Sequence, residues 1–352
     1  MRSALATITV LAAALSFGAR AEASPLRCGD VIDQDVTLSA DLHCASGESA
    51  LTVTRSGVRI DLNGHTISGT SRSDGIDVIG ARDVSIVGPG RIEGFRAGVY
   101  AVRTQRLALS TIEFDNLDTG ALLIHSGSVD LRDSRFNDIG GIAVNVMQPQ
   151  LGPLNNAGGH LMLDNQFSNV GSGIQLCGVD TGHALIQRNR FEQVRDYGIH
   201  VADGSSGNRI EDNHFEGVSQ TAIELQASSR NRVTGNHIAD GRFGVSMSPR
   251  SGGFCETGGG LPTVFANDVS ENEFIGLERG VRAGVGSRAE GPAWHNAITD
   301  NGFADNQNDV ILLGDSSDTL IDGNRWDAYG ERVEDYSYRA GYYQTSYGYY
   351  SR

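Results

Sequence analysis

Residues 188–202, RNRFEQVRDYGIHVA, and 212–226, DNHFEGVSQTAIELQ, decide the fold. In each, an asparagine (Asn189, Asn213) is followed two positions on by a phenylalanine (Phe191, Phe215). A polar turn comes next, and then a small residue (Gly198, Ala222) opens a β-type run. The same order recurs along the chain. The turn asparagines are Asn165, Asn189, Asn213, Asn236, Asn272, Asn301 and Asn324, and the large apolar residues after them are Phe167, Phe191, Phe215, Ile238, Phe274, Phe303 and Trp326. Earlier, Phe136 and Phe114 keep the apolar position while Ser134 and Ile112 replace the asparagine.

From Phe167 to Phe191, Phe215 and Ile238 the period is 24, 24 and 23 residues. Self-similarity at this length signals a solenoid. Leucine-rich repeats share the length, but their leucine consensus is absent, and strand-rich coils with inward Val, Ile and Phe fit a parallel β-helix. Such a coil buries its apolar side only by stacking on neighbours about 4.8 Å away. Asparagine at one turn position tolerates left-handed backbone and can pair its amide with the coils above and below. The column Asn165 to Asn324 is therefore expected to be a structural ladder.

The 352-residue chain carries a net charge of −15, and all 28 of its basic side chains are arginine. This balance argues against nucleic acid as a partner, since phosphate binding depends on basic patches. Arg2 followed by the apolar run from Ala4 to Phe17 has the layout of a secretory signal peptide, cleaved near Ala21 or Ala23, and is too short to span a membrane. The expected division is a signal peptide (1–23), an N-terminal cap (24–49), a β-helix domain (50–335) and a Tyr-rich tail (336–352) in a secreted monomer, periplasmic or extracellular. Export permits disulfides, and four cysteines allow three connectivities. Proximity pairs Cys28 with Cys44, which leaves Cys177 with Cys255.

The opening CGDVIDQDVTLSADLHC and the following GVRIDLNGHTISG (57–69) resemble the start of many bacterial secreted right-handed β-helix repeat proteins, and the later repeats resemble the pectate-lyase-like superfamily. The resemblance covers most of the mature chain. It implies an all-β fold, a single-stranded right-handed parallel β-helix of about ten coils with a disulfide-closed N-terminal cap, and a polysaccharide or glycan as partner. The superfamily also holds non-catalytic members. Its lysine-base lyase pattern has no counterpart here because there is no lysine, and the Asp-Pro-His-Asp pattern of alginate epimerases is absent.

Insertions mark one face. From each ladder asparagine to the next strand-opening residue (Gly173, Gly198, Ala222, Gly244, Gly280, Asp309) the spacing is 8 or 9 residues. From a strand opening to the next asparagine it is 14 to 16 in three coils, but 24 from Gly141, 28 from Gly244 and 21 from Gly280. The surplus forms Gly- and Pro-rich loops at Met147–His160, Pro249–Pro262 and about 284–294, all after the same strand. Strand alternation then places Gln175, His200, Glu224, Ser246 and Arg282 in one outward file, preceded by Asp77, Tyr100, Leu122 and Ala143, with Asn145, Gln226 and Ser248 in an adjacent file.

A carboxylate beside an imidazole orients it and raises its basicity, so His200 with Glu224 reads as a general base. Arg282, or Arg250 from a loop, is placed to neutralise a uronate, and Tyr197 to exchange a proton from another angle. The candidate catalytic residues are thus His200, Glu224, Tyr197 and Arg282, and Gln175, Asn145, Gln226, Ser246 and Arg250 are candidate substrate contacts. The chemistry they suggest is β-elimination or C5 epimerisation of a uronic-acid polymer. A hydrolase would use Glu224 with Asp203 or Asp180. No metal site is assigned; Asp-rich turns leave calcium open as a cofactor, although no diagnostic ligand run is present. The contrasting reading is a non-catalytic β-helix that binds glycan or envelope material.

Overall fold

The computed structural model describes residues 26–45, 47–148, 158–250, 263–286, 291–328, 330, 332–337 and 342–343, with Asp180 and 342–343 as backbone only. The expected signal peptide lies outside the described residues. The chain forms a parallel β-solenoid of about 12 turns, more than the ten expected. The difference arises at the N-terminal end, where coils such as Asp30–Ile32 stacked on Leu51–Val53 lack both the ladder asparagine and the phenylalanine.

Each full coil contains three strands. One comprises Leu185–Gln187, Arg190–Glu192 and Tyr197–Ala202, and the next repeats it as Arg209–Glu211, His214–Glu216 and Thr221–Gln226. Every strand pairs in parallel with its counterpart one coil on. The inward residues build one continuous core. Phe114, Phe136, Phe167, Phe191 and Phe215 stack face to face with centroids 4.6–4.9 Å apart. Ile238 interrupts the column, which resumes as Phe274, Phe303 and Trp326 at 5.0 Å spacing. Isolated aromatic pairs prefer offset or edge-to-face geometry, so the coil repeat imposes this arrangement.

The small strand-opening residues follow from that column. A Cβ at Gly198 would lie 2.6 Å from the Ala222 carbonyl oxygen and 2.7 Å from the Phe215 ring; at Gly173 it would lie 2.5 Å from the Phe191 ring. Alanine is accommodated at Ala222, where the apolar residue one coil on is Ile238 and not a ring. The other alanine of the column, Ala143, follows a bulge between Ile139 and Ile142. At the C-terminal end the position is Asp309, fully buried, bonded by Asn306 and facing Arg332 at 3.5 Å.

The asparagine ladder forms as expected. Nδ2 of Asn165, Asn189, Asn213, Asn236, Asn272 and Asn301 each donates to Oδ1 of the next asparagine, ending at Asn324, over 2.9–3.1 Å. A second ladder, absent from the sequence reading, runs Asn208, Asn231, Asn267 and Asn296 over 2.9–3.1 Å. Cys28 and Cys44 form a disulfide across the first coil. Cys177 is also disulfide-bonded; its expected partner Cys255 lies outside the described residues. Val333–Ser337 adds a strand beside Asn308–Gly314, and Tyr342–Tyr343 of the tail pairs with Thr319–Leu320.

Candidate functional site

The strands carrying the candidate residues are in strict register. Gln175 pairs with His200, His200 with Glu224, Glu224 with Ser246, and Ser246 with Arg282. These residues lie far apart along the chain and one coil apart in space. Ala202, Gln226 and Ser248 form the flanking column on one side, and Tyr197, Thr221, Phe243 and Arg279 that on the other. One placement is corrected. Leu122 pairs with Asn145, and Asn145 with Gln175, so Asn145 belongs to the main column and Ala143 faces the core, fully buried. The bulge at Ile139/Ile142 causes the shift, and it makes Ala143, not Gly141, the strand-opening residue of that coil.

The side chains of the column are knitted together across columns. His200 Nε2 lies 3.0 Å from Gln226 Oε1, while Ser248 Oγ donates to Glu224 Oε1. Arg282 donates to Ser246 Oγ from Nη2 (2.6 Å) and Nε (3.1 Å), and its Nη2 lies 3.9 Å from Glu224 Oε2. The Tyr197 ring stacks on His200 with centroids 4.6 Å apart. Gln226 Nε2 reaches the Arg250 carbonyl oxygen at 3.4 Å, and Gln175 Nε2 reaches Cys177 Sγ at 3.4 Å.

The network is nearly closed to solvent. His200 is 1% exposed and Glu224 5%, whereas the Arg282 side chain retains 17%. Burial pushes the His200 imidazole below its usual value, against the opposing pull of the Glu224 carboxylate, so the ring is neutral near pH 7. Burial also pushes the Tyr197 phenol up, with Glu224 acting in the same direction. Arg282 is pushed down by burial and by Arg250 and Arg279, and supported by Glu224.

Phe243 is a neighbour that sequence reasoning missed. The guanidinium carbons of Arg242, Arg279 and Arg282 lie 4.7, 5.2 and 4.9 Å from its ring centroid. Each contact is a cation–π geometry, and together they gather positive charge on one patch of an acidic protein. Glu278 pairs with Arg242 at 3.0 Å and with Arg279 at 3.6 Å. The signal was present in GRFGVSM and ERGVRA, where arginines recur around the strand openings of consecutive coils.

Of the hydrolase alternatives, Asp203 is 4% exposed beyond its strand, and the Asp180 side chain lies outside the described residues. The inserted loops fall mainly at 149–157, 251–262 and 287–290, also outside them. Among the described residues no group of three or more His, Cys, Asp or Glu is placed to hold a metal ion. Nor is any described helix long and apolar enough to cross a membrane.

Three stacked strand faces, an asparagine ladder and an aromatic column together define a parallel β-helix. The family profile for right-handed β-helix regions matches residues 172–330, and that described as periplasmic copper-binding protein (NosD) matches residues 48–224. The chain belongs to this NosD family of right-handed β-helix proteins. No curated protein sequence matches it.

Solved structures share the architecture. A tailspike protein of E. coli bacteriophage HK620, in complex with a pentasaccharide, superposes with TM-score 0.56 at 13% identity, covering 84% of this chain and 60% of its own. The catalytic domain of a GH87 α-1,3-glucanase in complex with nigerose gives 0.54 at 13% identity, covering 92% and 63%. The Dettilon tailspike protein gives 0.52 at 15% identity, covering 80% and 60%. The chain thus spans about 60% of the length of these neighbours, and at this identity the likeness concerns the fold.

Among the described residues the donor set does not fit copper. Cys28, Cys44 and Cys177 are disulfide-bonded, and Met162 and Met247 are fully buried in the core. The two adjacent surface histidines, His214 and His237, stack within 5° of parallel at 4.9 Å. Their lone pairs lie in separate parallel planes and cannot converge on one ion.

Proposed function

We propose that this exported protein binds a polysaccharide along the strand face bearing His200, Glu224 and Arg282, and processes it by uronic-acid-type lyase or epimerase chemistry. The observation that carries the reading is the register column, which sets an imidazole, a carboxylate and an arginine cluster on successive coils of one face. Arg282, with Arg250, would bind a uronate carboxylate. His200 would then remove the proton beside that carboxylate, and the electron pair would delocalise into it as an enolate-like anion. In elimination the pair returns to form the double bond and the glycosidic oxygen leaves. In epimerisation Tyr197 would return a proton to the anion. Gln175, Asn145, Gln226 and Ser246 would contact sugar hydroxyls. The saccharide ligands of the tailspike and glucanase neighbours support the substrate class. The acidic charge disfavours nucleic acid, and a monomer suffices because the whole column comes from one chain.

The test is incubation with pectate, alginate and glycosaminoglycan panels, following unsaturated-product absorbance, reducing ends and C5 inversion. Turnover lost in His200→Ala and reduced in Arg282→Ala is the expected result; full activity in His200→Ala removes the assignment. A second reading, a glycan-binding β-helix without catalysis, is favoured by the 1% exposure of His200. Binding on a glycan array with no product from any substrate would select it.

A further inference from the structure

The main column continues well beyond the proposed site. Tyr100 pairs with Asp77 on one side and Leu122 on the other, and Leu122 leads through Asn145 and Gln175 to His200. Asp77 and His200 are therefore five coil spacings apart on one face, about 24 Å.

A second polar cluster surrounds Asp77. Ser49 Oγ donates to Asp77 Oδ2 at 2.7 Å, while Asp77 Oδ1, itself buried, has no hydrogen-bond partner among the described residues. Asp74, 6% exposed, is held by Arg96 through Nε (3.1 Å) and Nη2 (2.6 Å). The same guanidinium lies 5.4 Å from the Tyr100 ring centroid, and the Arg96 side chain stays 50% exposed. An unmet carboxylate oxygen in native structure calls for a partner. Beside it stand a partly exposed ring and an arginine whose charge is already matched by Asp74.

We propose that Asp77, Tyr100 and Arg96 form a second glycan subsite, selective for a neutral sugar. A pyranose offers apolar C–H groups to an aromatic face and hydroxyls to the partly exposed Asp77 carboxylate. Arg96 is already neutralised by Asp74, so this end lacks the spare cation that a uronate needs. The Arg282 end has an arginine cluster. The two ends together select a heteropolysaccharide containing both uronic and neutral units. From Asp77 to Arg282 the column runs eight coil spacings, so spanning both ends takes on the order of eight sugar rings if each advances by about one coil spacing. Burial pushes the Asp77 carboxyl up, with Asp74 adding to the effect, which agrees with an acid adapted to hydroxyl partners.

This inference rests on the proposal that the face binds glycan, and the experiment separates the two. Wild type, Tyr100→Ala, Asp77→Asn and Arg282→Ala are titrated against immobilised alginate, polygalacturonate and mixed glucose–glucuronate oligomers of graded length, with circular dichroism confirming the fold. The expected result is tightest binding to long mixed oligomers. Tyr100→Ala and Asp77→Asn should weaken these by about tenfold and leave short uronate oligomers unaffected. Should Tyr100→Ala misfold, the near-isosteric Asp77→Asn carries the test. Unchanged affinity in both Asp77→Asn and Tyr100→Ala, with Arg282→Ala weakened, overturns the second subsite and leaves the proposed function standing. Absence of binding by the wild type to any oligomer removes both.

Discussion

Replacing Asn213 by alanine probes the ladder at its centre. The Asn213 side chain accepts from Asn189 N at 2.9 Å and Asn189 Nδ2 at 3.0 Å, and donates to Ile186 O at 2.9 Å and Asn236 Oδ1 at 3.0 Å. It is 1% exposed, so water cannot substitute. Asn189 Nδ2 keeps other acceptors, Met162 O and Gln187 O, and Asn236 Oδ1 keeps the Asn213 backbone donor. The Asn189 N–H is then left without its side-chain acceptor, while the Ile186 carbonyl keeps its place in the ladder between Leu185–Gln187 and Arg209–Glu211. At about 1–3 kcal/mol for a buried unsatisfied group, Asn213→Ala should cost roughly 1–3 kcal/mol. Serine provides an internal control. At the equivalent position, Ser134 Oγ accepts from Ile112 N at 3.2 Å, so Asn213→Ser should recover the acceptor role and about half of the loss. Because solenoid stability is a sum of nearest-neighbour terms, urea unfolding should be paired with hydrogen exchange, which should show fastest gain at the Asn189 amide and the strands beside it. A cost below about 0.5 kcal/mol for Asn213→Ala would refute the view that the ladder is a principal stabilising element.

Ile238→Phe should destabilise by about 1–3 kcal/mol through overpacking against the Ala222 methyl, and the added Ala222→Gly should restore most of it; additive losses in the thermal melts of the double variant would contradict the steric argument. Depression of the His200 pKa by burial means that the unfolded chain takes up a proton first as pH falls through about 6.5, so stability should drop between pH 7.5 and pH 5.5. His200→Gln should flatten that dependence, and an unaltered profile would show that other groups dominate. Removing the first disulfide with Cys28→Ser and Cys44→Ser, a sequence separation of 16, should cost about 2–4 kcal/mol and speed proteolysis at the N-terminal coils; identical cleavage would exclude a capping role.

How far the sequence could be read follows from the physics of stacking. The period, the asparagine ladder and the phenylalanine column were legible because every coil solves the same packing problem with the same residues. The second ladder was equally present, as an asparagine five residues before the first in NRIEDN, NRVTGN, NDVSEN and NAITDN; a search for one repeated turn position overlooked the other. The N-terminal coils were undercounted because Leu, Ile and Val fill the core there without a recurring signature. Register was legible wherever the spacing was regular, which brought His200, Glu224, Ser246 and Arg282 together, and it failed for Asn145 because the strand opens at Ala143, after the bulge at Ile139/Ile142, and not two residues earlier at Gly141, which shifts Asn145 by one file on the same face. The hardest feature to foresee was burial. Strand alternation says which way a side chain points from the core, but it does not say what covers it. Tyr197 covers His200 by leaning across columns, and Ser248 and Gln226 occupy Glu224 and His200 by bonds that run diagonally between coils. Such contacts depend on side-chain length and rotamer at three neighbouring positions at once. In the proposed function this closeness would matter, because the exclusion of water that hid the contacts from a one-dimensional reading also perturbs a titratable group set beside a carboxylate and an arginine cluster.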